Sequence, residues 1–144
     1  MSNKYLKTKR KEFTMTKKIL LAALFAVSVL ALNSNAVKSQ TMYFCEGVDK
    51  SGYPISESSV FNISSSGGYL YTLVRLPYEV GCREVKLVIY RNDNYDNTIY
   101  VDTEKDWAWF WKQITFYKSG YYTIYAYDCS DYLLTSGNVR IQFK

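Results

Sequence analysis

Beyond residue 40 the chain alternates apolar and polar residues with a period of two, and no long stretch repeats at the helical period. The clearest case is 84–91, where Val85, Leu87 and Ile89 face one way and Lys86, Val88 and Tyr90 the other. Strands are predicted over 42–48, 59–64, 69–76, 84–91, 98–103, 107–117, 121–128 and 139–143. Turn-forming residues separate them at 49–52, 64–68, 92–97 and 118–120, with Pro77 and Gly81 ending one strand. In the last strand Val139, Ile141 and Phe143 share one side. Seven or eight short strands with regular turns and no helix argue for an all-β fold, an antiparallel sandwich.

The first 36 residues break this pattern. Lys17 and Lys18 precede Ile19 to Leu32, an uncharged run of 14 residues, and Ser34-Asn35-Ala36 then supplies small residues. This is the arrangement of an export signal helix with a cleavage site, and Met15 is a candidate start. As a helix the run is about 21 Å long, short of the ~30 Å hydrocarbon core of a bilayer, so a cleaved signal is expected rather than a stable membrane anchor. The division is therefore 1–36 signal peptide and 37–144 a single β-sandwich domain, secreted or periplasmic.

Removing the signal changes the charge. The chain has 18 Lys+Arg against 13 Asp+Glu, but residues 1–36 hold seven of the bases and one of the acids, leaving 11 against 12. The mature part is near neutral, so the basic surface that nucleic acid would require is not expected. Histidine is absent, which excludes Ser-His-Asp and Cys-His catalysis, histidine-based zinc sites and histidine pH switches. With no cofactor motif and no identifiable base–nucleophile pair, a non-enzymatic protein is expected. Asp93, Asp96, Asp102, Glu104 and Asp106 crowd one segment but lack a calcium-loop order, so no metal site is assigned. Cys45, Cys82 and Cys129 allow three pairings and leave one thiol over, and an oxidising compartment favours one bridge.

The segment 116–124, Phe-Tyr-Lys-Ser-Gly-Tyr-Tyr-Thr-Ile, resembles the corner before the penultimate strand of immunoglobulin-like and fibronectin-type domains. Gly120 and Tyr122 match the Gly-x-Tyr pattern, and Ile124 stands at the cysteine position. The resemblance implies an immunoglobulin-like sandwich in which the Tyr122 hydroxyl bonds back to the preceding loop and Tyr122, Ile124 and Ala126 point inward. It also implies that the loops holding Cys82 and Cys129 share one end, making Cys82–Cys129 the first-choice disulfide. Cys45 is then free, or the alternative partner of Cys82.

Two aromatic sets are the candidate binding residues. Tyr121, Tyr125 and Tyr127 fall opposite the inferred core face of their strand, and Tyr90 should share that outer face. Such a surface suits a protein partner. Trp107, Trp109 and Trp111 share one parity on theirs and would suit a polysaccharide if exposed. The function expected from sequence is an exported binding module docking a protein partner, with a carbohydrate-binding module as the alternative.

Overall fold

The computed structural model describes residues 40–144, so the expected export signal lies outside the described residues. The described residues are all-β, with strands β1 (Thr41–Cys45), β2 (Gly47–Val48), β3 (Pro54–Ile55), β4 (Val60–Ile63), β5 (Gly68–Arg75), β6 (Glu84–Arg91), β7 (Asn94–Asp102), β8 (Trp109–Phe116), β9 (Gly120–Tyr127) and β10 (Leu133–Phe143). Eight have four or more residues, and β2 and β3 are a two-residue pair. A three-stranded sheet runs β1-β5-β8, and a five-stranded sheet runs β4-β10-β9-β6-β7. All pairings are antiparallel except β4 with β10, which is parallel, so the larger sheet is mixed rather than purely antiparallel.

Alternation decides which faces are buried. Val85, Leu87 and Ile89 of β6, Tyr122, Ile124 and Ala126 of β9, and Val139 and Ile141 of β10 join one apolar cluster with Met42 and Phe44 of β1, Leu70 and Val74 of β5, and Phe110, Ile114 and Phe116 of β8. The cluster takes one face from each of the two larger sheets, which is what period-two strands need in order to remove their apolar side from water. Ile124 and Ala126 are completely buried, so the inward parity expected of β9 is the observed one.

Two hairpin loops repeat one local solution. In Asp49-Lys50-Ser51-Gly52-Tyr53, Asp49 Oδ1 accepts the amides of Ser51 and Tyr53 at 2.8 and 2.9 Å. In Asp128-Cys129-Ser130-Asp131-Tyr132, Asp128 Oδ1 accepts those of Ser130 and Tyr132 at the same distances. The fourth residue is left-handed in both, Gly52 at φ 75° and Asp131 at φ 63°. An aspartate that satisfies two loop amides makes each turn self-sufficient.

Several boundaries differ from expectation: the strand expected over 42–48 is broken at Glu46 into β1 and β2, and the one expected over 107–117 begins only at Trp109, leaving Trp107 in the crossover before it. The β6–β7 turn is Asn92-Asp93 alone, both at positive φ, a two-residue hairpin connection that asparagine and aspartate tolerate. β7 consequently starts at Asn94, with a register shift opposite Ile89 and Tyr90. β10 starts at Leu133 rather than near 139, and its pairing with β9 shifts between Leu133 and Thr135.

The Tyr122 hydroxyl donates to the Lys118 carbonyl at 2.7 Å, closing the corner before β9, and its ring meets Phe116 edge-on at 4.8 Å. Burial raises the Tyr122 pKa above the ordinary phenol value; Asp96 adds to this and Arg91 opposes it. The folded state thus holds this proton more tightly than the unfolded chain. That stability is present below pH ~10 and is lost as pH rises through the raised value. Tyr122→Phe is expected to cost about 1 kcal/mol near neutral pH and to flatten the alkaline loss of stability. Urea unfolding at neutral pH and above pH ~10 checks both; an alkaline limb as steep in the variant would assign the loss to other groups.

Candidate functional site

The outer face of the five-stranded sheet is built by the residues of opposite parity. Tyr90 of β6 faces Thr123 of β9 and Tyr95 of β7, Val88 faces Tyr125 and Thr98, and Lys86 faces Tyr127 and Tyr100. Tyr90 packs edge-on against Tyr125 at 5.9 Å and Tyr95 at 6.1 Å, and Tyr125 reaches Tyr127 at 6.4 Å. Lys86 lies over the Tyr127 ring at 5.5 Å and pairs with Asp131, while the Arg140 guanidinium lies over Tyr121 at 5.0 Å. Cation–π seating of this kind keeps both rings and cations oriented.

Tyr90, Tyr125 and Tyr127 are therefore brought into one contiguous patch, with Tyr121 beside it on the same face. Sequence reasoning missed Tyr95 and Tyr100, which are 62% and 58% exposed and extend the patch onto the edge strand β7. Thr98 and Tyr100 alternate and were the available signal for Tyr100, but Tyr95 has the other parity and reaches this face only through the bulge opposite Ile89 and Tyr90, which no alternation reports. Lys86 forms an ion pair with Asp131, whereas Arg140 donates to the Gln142 side-chain oxygen at 3.1 and 3.2 Å, in the amide orientation that satisfies both groups.

The three tryptophans have separate fates. Trp109 and Trp111 lie on the outer face of the three-stranded sheet, opposite Arg75 and Leu73 respectively. The β2–β3 hairpin crosses this face, and Gly52 at its turn presses directly on the Trp109 indole. Arg75 donates to the Gly52 and Ser51 carbonyls and covers the Tyr53 ring at 4.1 Å. Leu73 and Cys45 are fully buried beneath this layer although they lie outside the central cluster. Trp109 is thus a half-buried support, whereas Trp107 and Trp111 remain 43% and 46% exposed.

Trp107, Trp109 and Trp111 line one cleft together with Asp102, Asp106, Ala108 and Phe110. The 103–108 crossover that shapes it is pinned to the 76–83 loop. The amides of Leu76, Val80 and Gly81 donate to the carbonyls of Ala108, Trp107 and Lys105, and the Thr103 amide donates to Arg83. The Thr103 hydroxyl, itself buried, donates to the Cys82 carbonyl at 2.7 Å. Cys82 is in turn bonded to Cys129, the pairing expected from the immunoglobulin-like resemblance. The disulfide therefore anchors the loop on which the cleft is built.

Cys45 is a free, fully buried thiol whose Sγ donates to the Tyr71 carbonyl at 3.6 Å, and burial raises its pKa. Such a thiol is chemically inert. Asp93, Asp96, Asp102, Glu104 and Asp106 spread from the hairpin tip to the crossover, and among the described residues no three potential ligands converge on a metal position. Nor is any helix among them long and apolar enough to cross a membrane. One disulfide fits an oxidising environment of extracellular type. No protein-family model matches the sequence, and comparison with curated proteins gives no match.

Proposed function

We propose that this is an exported, non-enzymatic binding module of immunoglobulin-like sandwich type, whose tyrosine face docks a protein partner in the cell envelope or outside the cell. The observation that carries the reading is the assembly of Tyr90, Tyr95, Tyr100, Tyr121, Tyr125 and Tyr127 on one sheet face that no described element covers. Tyrosine offers large rigid contact area and a hydroxyl at low entropic cost, and arginine beside it is the other residue enriched at interface hot spots. Arg140, stacked on Tyr121, adds a cation to the rim of this face. The Tyr122 corner supports the immunoglobulin-like assignment, and the disulfide and the signal-like N-terminal segment support export.

The test is a double substitution on the outer face. Tyr125→Ser with Tyr127→Ser should weaken partner binding about tenfold or more, because both rings sit at the centre of the patch. Circular dichroism and thermal unfolding establish that the variant is folded. Unchanged partner affinity in a folded variant overturns the assigned face.

A further inference from the structure

We infer that the crossover cleft is a second binding site, independent of the tyrosine face, and that its ligand is an extended, uncharged glycan chain. All three indoles line it, and two of them stand well clear of the surface. Trp107 and Trp111 are 43% and 46% exposed, while Trp109 is held by Gly52. Aromatic rings continue from the cleft along the outer face of the three-stranded sheet. Trp111 meets Tyr71 edge-on at 5.2 Å, and Tyr71 meets Tyr69 at 6.2 Å, with Tyr69 again exposed. The result is a strip rather than a socket, which matches a polymer lying along the surface.

The polar groups narrow the ligand class. Asp102 and Asp106 line the same cleft, both exposed, and neither has a cationic partner among the described residues. A pyranose ring presents an apolar C–H face, which stacks on indole, and a rim of hydroxyls, which donate to carboxylate oxygens; charge-assisted bonds of that kind are the stronger ones. Flat indoles bordered by acceptor-only groups are complementary to both features at once. The same carboxylates repel an acidic polymer, so neutral chains are favoured over uronate ones. The site is also preorganised, because main-chain bonds and the Thr103–Cys82 bond fix the 103–108 loop before any ligand arrives. Less ordering entropy is then lost on binding.

The experiment uses the full chain as exported, titrated with hexamers of glucose, xylose and N-acetylglucosamine and, as an anionic control, of galacturonic acid. Tryptophan emission and calorimetry are followed together. At least one neutral series should give saturable binding with shifted emission, and the galacturonate hexamer should bind more weakly. Asp106→Asn, which keeps the side-chain shape, and Trp107→Ala should each weaken that binding about tenfold or more. Tyr125→Ser with Tyr127→Ser should leave it unchanged, which separates this site from the tyrosine face. Absence of saturable binding by all three neutral hexamers overturns the inference. So does galacturonate binding as tightly as the neutral chains, or full retention of affinity in folded Asp106→Asn and Trp107→Ala proteins.

Discussion

Replacing Cys82 and Cys129 together by alanine should lower stability by about 4 kcal/mol. The bridge spans a sequence separation of 47. Closing a loop of that size removes entropy from the unfolded chain worth roughly 4 kcal/mol, within the 2–5 kcal/mol typical of native disulfides. Against a whole-domain stability of about 5–15 kcal/mol that is a large fraction. It corresponds to a fall in melting temperature of about 18 °C for a domain of this size. Differential scanning calorimetry of oxidised protein and variant reads it directly. A fall of only a degree or two would mean that the unfolded chain is already constrained, or that the bridge is strained enough to cancel its own benefit. The Thr103 hydroxyl bond to the Cys82 carbonyl adds a local signature, since the loop bearing Trp107 should loosen first. Tryptophan emission should therefore redden below the main transition in the variant.

How far the sequence announces this architecture depends on the range of the forces involved. The inward face of β9 is legible because alternation is a local signal: Tyr122, Ile124 and Ala126 are the small or apolar half of a period-two pattern, and they are the buried half. The Tyr122 corner is legible because its partner, the Lys118 carbonyl, is four residues away. Both edges of the register were harder. Asn94, Asp96 and Asn97 have turn propensities, yet pairing along β6 draws them into β7, and tertiary pairing of that kind routinely overrides local preference. The cost was Tyr95, a member of the tyrosine patch. Leu133 and Thr135 were missed because a register shift between them breaks the alternation, and Ser136-Gly137-Asn138 after it has turn-like composition although it pairs in regular register with β9.

The tryptophans mark the limit more sharply. Their shared parity was visible, but which of them is free depends on the β2–β3 hairpin, more than fifty residues earlier in the chain. No local pattern around Trp109 reports that Gly52 will press on it. The same hairpin explains Leu73 and Cys45, which are buried on the side of their sheet that alternation alone assigns to water. A small lid over one face creates a second apolar layer, and layers made by loops leave no periodic trace.

Gly52→Ala tests that lid, and an internal control is available in Gly81. Both glycines are left-handed, at φ 75° and 70°. An alanine at either position incurs the left-handed penalty of roughly 1–2 kcal/mol. They differ in what a Cβ would meet. At Gly81 nothing lies within 4 Å, whereas at Gly52 the atom would stand 2.3 Å from Trp109 Cδ2 and 2.5 Å from Cε2. No relaxed contact is that short, so the half-buried indole or the hairpin must shift, and overpacking of this kind typically costs a further 1–3 kcal/mol. Gly52→Ala should therefore destabilise by about 3 kcal/mol and Gly81→Ala by about half that, both read from urea unfolding midpoints. Trp109 should also move toward solvent in the first variant alone, seen as a red shift in emission. Equal losses with no spectral change would remove the Gly52–Trp109 seat from the account of this face. Trp109 would then stand beside Trp107 and Trp111 as a third free indole, and the glycan strip would begin two residue positions earlier along β8, at Trp109.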